Sequence, residues 1–150
     1  MTGHSSLYNC VNTGRVSVGS GAGTHVGAVC GSLWTTIGQC YWLDDGGSVN
    51  TAVGEREGVT VCVFGLDADG MANYPTGRIL YSGSTKRSYD SVINALNACA
   101  AEHSPGTDAF YCGWKENKDE NDFPVLTHDR AESPAGDTGS FDPNFNTWGD

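Results

Sequence analysis

The sequence predicts a single disulfide-stapled α+β domain over residues 1–114, an antiparallel-rich sheet with one main helix (about Ser88–Glu102) packed on it. An extended acidic C-terminal arm over residues 115–150 follows. Three observations carry this expectation. Six cysteines, Cys10, Cys30, Cys40, Cys62, Cys99 and Cys112, are scattered with no C-x-x-C pair among them. Short β-branched runs alternate with turn residues, among them many of the 21 glycines. Only one stretch repeats its apolar residues at helical spacing.

Zinc fingers and ribbons need cysteines two to four residues apart. An even, scattered set reads instead as three disulfides, which persist in oxidising compartments. The expectation is therefore a secreted, extracellular protein. Its opening Met1-Thr2-Gly3-His4 is polar and lacks the apolar run of a signal peptide, so the chain reads as a mature form. No stretch approaches the roughly 20 apolar residues of a membrane-spanning helix, so no membrane insertion is expected.

The elements follow in order. Leu7–Val11, Arg15–Val18, Val26–Cys30, Leu33–Ile37 and Cys40–Leu43 each read as a short strand between turn residues. Glycine and β-branched residues argue against helix there, and no internal repeat of useful length is visible. Val59–Phe64 is β-branched and aromatic, a central strand. Asp67–Gly70 turns the chain, and Arg78–Tyr81 gives another strand. Ser88 reads as a helix N-cap with Asp90 in the first turn. Val92, Leu96, Cys99 and His103, with Ile93 and Ala100 beside them, form one stripe. Pro105-Gly106 ends this helix, and Phe110–Trp114 is a strand with Phe110, Cys112 and Trp114 on one face. Cys99 then points toward Cys112, the preferred disulfide pair, with Cys62 its alternative.

From Lys115 onward the chain holds three basic and nine acidic residues. Lys115–Asp122 is a charge run unable to bury enough surface to fold alone. Phe141, Phe145 and Trp148 give the arm apolar anchors, to its own domain or to a second copy. Self-association through residues 115–150 is thus one expectation.

The formal net charge of −10 and the absence of a basic cluster exclude the electrostatic footprint of nucleic-acid binding. Gly21-Ala22-Gly23-Thr24-His25-Val26-Gly27, with Asp44 and Asp45 some 20 residues on, has the outline of a dinucleotide fingerprint. The segment after it is a poor helix former, so a glycine-rich turn is the better account. Asp67-x-Asp69-Gly70 and Asp119-x-x-Asp122 lack the ligand series of a calcium loop. No metal and no cofactor is expected.

His25, in the glycine loop, is the catalytic candidate, with Asp44 and Asp45 as carboxylates. Glu55, Glu57, Asp67 and Asp69 complete the set of acids that a glycosidase-type pair could draw on. Trp34, Tyr41 and Trp42, with Phe141, Phe145 and Trp148, are the candidate binding residues, since exposed aromatics anchor interfaces. The functional expectation is a small secreted interaction protein, toxin-, effector- or inhibitor-like, that binds a protein or other extracellular macromolecule. Its alternatives are a subunit of an extracellular assembly that contacts neighbours through the arm, and a small secreted hydrolase using His25 and a carboxylate.

Overall fold

The computed structural model describes residues 6–21, 23, 25–33, 36–72, 80–81, 88–89 and 91–134. Among these the strands are β1 Ser6–Tyr8, β2 Val11–Asn12, β3 Cys30–Leu33, β4 Thr36–Leu43, β5 Val53–Arg56, β6 Val59–Leu66, β7 Leu80–Tyr81, β8 Ser88–Tyr89, β9 Cys112–Glu116 and β10 Pro124–Arg130. The helices are α1 Ala68–Met71 and α2 Val92–His103. The chain divides between Ala68 and Asp69 into two compact units.

The first unit overturns the antiparallel-rich expectation. All the strand pairs among its described residues are parallel: β1, β2 and β6 with β4, and β3 with β5. The register explains how. Cys30 pairs with Val53, and Leu43 pairs with Leu66, so residues 30–33 and 36–43 lie on residues 53–56 and 59–66 at a constant offset of 23. The corners follow too: the Glu57 and Gly58 N–H groups donate to the Leu33 carbonyl, and the Asp44 N–H donates to the Leu66 carbonyl. Two successive turns of the chain are stacked like coils of a solenoid. Each coil passes from one short sheet to the other and returns, which supplies the long crossover that parallel strands need.

β1 and β2 begin a third layer. Ser6 pairs with Thr36 and Asn12 with Trp42, again at one offset, now of 30 residues. These two strands are one broken strand along β4. At the break, Asn9 has φ 58°, and in the same row of the ladder Gln39 has φ 50° and Cys62 has φ 52°. A left-handed residue costs an L side chain about 1–2 kcal/mol. Three in one row bend three neighbouring strands together and keep them hydrogen-bonded. The Asn9 N–H still reaches the Gly38 carbonyl at 3.1 Å, and the Tyr41 N–H reaches the Cys10 carbonyl at 3.0 Å.

The kink also resets side-chain alternation. Ile37 and Cys40, three residues apart, share one core with Leu33, Trp42, Val63, Ala28 and Ala52. Tyr41 and Gln39 are buried as well, so both faces of β4 are covered, as in parallel sheets generally. Large rings lie over small partners in the rows. A Cβ on Gly38 would strike the Tyr8 ring, and one on Gly65 would come within 2.8 Å of Trp42. Tyr41 stacks on Phe64, its register partner, at 6.4 Å between centroids.

The second unit packs α2 on the antiparallel hairpin β9–β10. The helix starts later than expected. Ser88 lies in β8, and Ser91 is the N-cap, its side chain accepting from the Asn94 N–H. Val92, Ile93, Ala95, Leu96, Ala98, Cys99 and Ala100 are buried, so the covered surface is far wider than one stripe. Asn97 clamps the strand: its Nδ2 donates to the Trp114 carbonyl at 3.0 Å, and its Oδ1 accepts the Trp114 N–H at 2.7 Å. The charge run Lys115–Asp122 forms the end of β9 and the hairpin turn. There the Asn117 N–H donates to the Phe123 carbonyl and the Asp122 N–H to the Asn117 carbonyl. Lys118 pairs with Glu116 and, at 3.7 Å, with Asp122.

The disulfide framework is also corrected: none of the six cysteines is in a disulfide bond. Cys40, Cys62 and Cys99 are at most 5% exposed and fill space as small apolar side chains. Neither Cys99–Cys112 nor Cys99–Cys62 is a bond. Cys99 instead places its sulfur 3.9 Å from His103 Nδ1. Without disulfides, cysteine usage no longer argues for an oxidising compartment, and the toxin- and effector-like description loses its basis.

Candidate functional site

His25 reaches the coil stack through a close backbone approach. The backbones at Gly27 and Gly54 lie so near each other that a Cβ on Gly27 would come within 2.6 Å of the Ala52 carbonyl and 2.7 Å of the Gly54 nitrogen. A Cβ on Gly31 would come within 2.8 Å of the His25 carbonyl. These glycines let the segment lie flat against β3 and β5, which sets the His25 ring over Glu55.

His25 Nδ1 is 2.8 Å from Glu55 Oε2, and Ser32 Oγ donates to the same oxygen at 3.2 Å. Ser32 and Glu55 are register partners on β3 and β5. A carboxylate on Nδ1 holds the imidazole with Nε2 outward, the orientation of a general base. The serine faces the carboxylate rather than the imidazole, so no nucleophile–base pair is built. The His25 and Glu55 side chains are 57% and 47% exposed, which leaves the pair in water and weakens its electrostatics.

The carboxylate that meets His25 is therefore Glu55, not Asp44 or Asp45. Asp44 accepts the Gly46 N–H and Asp45 the Gly47 N–H, each closing a local turn, and Asp45 also pairs with Arg15 at 3.4 Å. Of the binding candidates, Tyr41 is 0% and Trp42 4% exposed, so both are packing residues. Trp34, Phe141, Phe145 and Trp148 lie outside the described residues. Among the described residues no group of three or more His, Cys, Asp or Glu side chains converges as a metal site would.

Two features escaped the sequence reading. The first is the edge formed by β1 and β2, which pairs only with β4 among the described residues. Ser6, Leu7 and Tyr8 are exposed, Leu7 at 37% and Tyr8 at 54%. The second is the alignment of Cys10 with Cys40, which the 30-residue offset sets on neighbouring coils, with Cys40 holding the Cys10 thiol down to about 7. A signal for both existed: Ser6-Leu7-Tyr8-Asn9-Cys10-Val11 and Thr36-Ile37-Gly38-Gln39-Cys40-Tyr41 match in character at most positions. Comparison with protein-family models, with curated proteins and with solved structures returns no match.

Proposed function

We propose that the protein is an interaction module that takes an extended segment of another protein along the β1–β2 edge. The carrying observation is that this edge pairs only with β4 among the described residues, with Leu7 and Tyr8 exposed upon it. Edge strands are normally blunted by charge or proline, because their free N–H and C=O groups template further pairing. Residues 1–14 contain no Asp, Glu, Lys, Arg or Pro. Strand addition uses such edges, with main-chain hydrogen bonds for affinity and side-chain positions for selectivity. The fitting partner has an apolar, β-branched core with basic flanks, since a chain of net charge −10 attracts cationic segments.

The test selects extended peptides from a random library against the protein and measures their calorimetric affinity. Binding should be weakened by Leu7→Lys, and hydrogen exchange should slow at Ser6–Asn12 on binding. Binders that protect other amides and ignore Leu7→Lys would sink the proposal. A hydrolase using His25 is the second reading, favoured by the His25–Glu55 contact. It requires a turnover on ester or glycoside substrates that His25→Ala abolishes with the fold intact. Turnover unchanged in that variant removes it.

A further inference from the structure

The β1–β2 edge is bent, and the bend restricts what can lie along it. Asn9, Gln39 and Cys62 stand in one row across parallel strands, at offsets of 30 and 23 residues. Their φ angles nearly coincide, at 58°, 50° and 52°. Each strand is therefore close to a copy of its neighbour, shifted by one ladder spacing of about 4.8 Å. Hydrogen bonding continues on both sides of the bend, from the Asn9 N–H to the Gly38 carbonyl at 3.1 Å and from the Tyr41 N–H to the Cys10 carbonyl at 3.0 Å. A straight segment laid on this edge can follow Ser6–Tyr8 or Val11–Asn12, but not both. To follow both it must itself turn left-handed in the row of Asn9, and the same shift sets it parallel to β1 and β2.

We propose that the edge selects parallel segments that carry glycine, with asparagine next, in the row of Asn9, and two apolar residues immediately before it. Resting on the edge-binding reading above, this rule names the segments that the edge accepts. Glycine enters the left-handed region at no steric cost, asparagine at a small one, and other L residues against a penalty. Within the protein, Gln39 and Cys62 are held there by burial, being 2% and 1% exposed. A free peptide has no such enclosure and loses the penalty from its affinity. The two preceding rows hold Leu7 and Tyr8, 37% and 54% exposed, which apolar side chains of the partner would cover. Charge places the basic residues of the partner at its ends. Residues 1–14 contain no Asp, Glu, Lys or Arg, while the whole chain carries −10, so cationic flanks are attracted without a charge being set inside the ladder.

The experiment titrates fluorescein-labelled peptides with the full chain and follows anisotropy. Each peptide has two lysines at either end and the core Val-Val-X-Val-Thr, where X is Gly, Asn, D-Ala, L-Ala or L-Val. D-Ala separates backbone conformation from size, because it favours the left-handed region and carries the same methyl as L-Ala. Gly and D-Ala should bind alike, with Asn close behind. L-Ala should bind on the order of 10-fold more weakly, as the penalty of a left-handed L residue implies, and L-Val more weakly still. Leu7→Lys should weaken every peptide. Binding that Leu7→Lys weakens but that treats D-Ala and L-Ala alike overturns the glycine rule and leaves the edge reading standing. Binding untouched by Leu7→Lys, or no binding by any peptide, overturns both.

Discussion

Up to Ala68 the strands are held by rows, and after it by a helix. In the first unit each residue stands beside its counterpart one coil away, and main-chain hydrogen bonds run between coils. Fit there depends on what is missing: glycines admit a neighbouring backbone or the face of a ring. In the second unit α2 buries a broad apolar surface of small and branched side chains, and one amide, Asn97, grips the strand. A stack of coils is thus sensitive to added atoms, and a helix on a hairpin is sensitive to removed ones.

The largest test of that contrast is Leu96→Ala in α2. Leu96 is fully buried, and such truncations cost about 2–5 kcal/mol. Urea unfolding should show a loss of about 3 kcal/mol; a loss under about 1 kcal/mol would mean that the helix does not depend on packing. Next comes the opposite change, Gly54→Ala, which drives a methyl into the Val26 backbone and to 2.8 Å from the Gly31 carbonyl. Overpacking of this kind costs about 1–3 kcal/mol. In the second unit Gly113→Ala meets Ala131 Cα and Asn97 Oδ1 only at 3.3 Å and should cost less in the same assay. Equal losses would erase the distinction.

The kinked row gives a smaller effect. Asn9→Val puts a β-branched residue at φ 58°, where the strain is about 1–2 kcal/mol, while Asn9→Gly should be tolerated. A pair of melting curves decides, and Val equal to Gly would show that the kink is not enforced. The smallest effect is a pH dependence at Cys10. Its folded pKa is lowered to about 7 from 9.0, so between those values the unfolded chain holds a proton that the native one has lost. Stability should therefore rise from pH 7 to pH 9 and fall as pH drops through 7. Cys10→Ser should flatten that slope. Alkylation of Cys10 by iodoacetamide should show its half-maximal rate near pH 7, and a midpoint near 9 would remove the Cys40 contact as its cause.

Local chemistry was legible where it decides the element. Val59–Phe64 forms the body of β6, and the 92–103 periodicity is α2. Strand direction was not legible, because a glycine-rich turn after a β-branched run fits a hairpin and a coil corner equally well. The coil repeat is spelled out by only a few matches, such as Gly31 with Gly54, Leu43 with Leu66 and Asp44 with Asp67. Backbone pairing needs the same geometry in each row, not the same residue. The cysteines misled for a related reason: a thiol that packs in a core and a thiol that bonds are the same letter. His25 was found because a histidine in a glycine loop is conspicuous. Its partner Glu55, thirty residues away, is brought to it only by the pairing of β3 with β5.

The two coil offsets, 23 and 30 residues, differ while the rows they serve do not. The surplus of the longer one falls in the return segment, residues 13–29, which includes Gly19 and Gly21, each with open space where a side chain would project. Length is therefore free to vary in that return and is fixed within the rows. An affinity tag spliced between Gly19 and Gly21 would lengthen the detour and leave every strand opposite the same neighbour. A single residue inserted into β4 would move each partner by one place and turn the core outward.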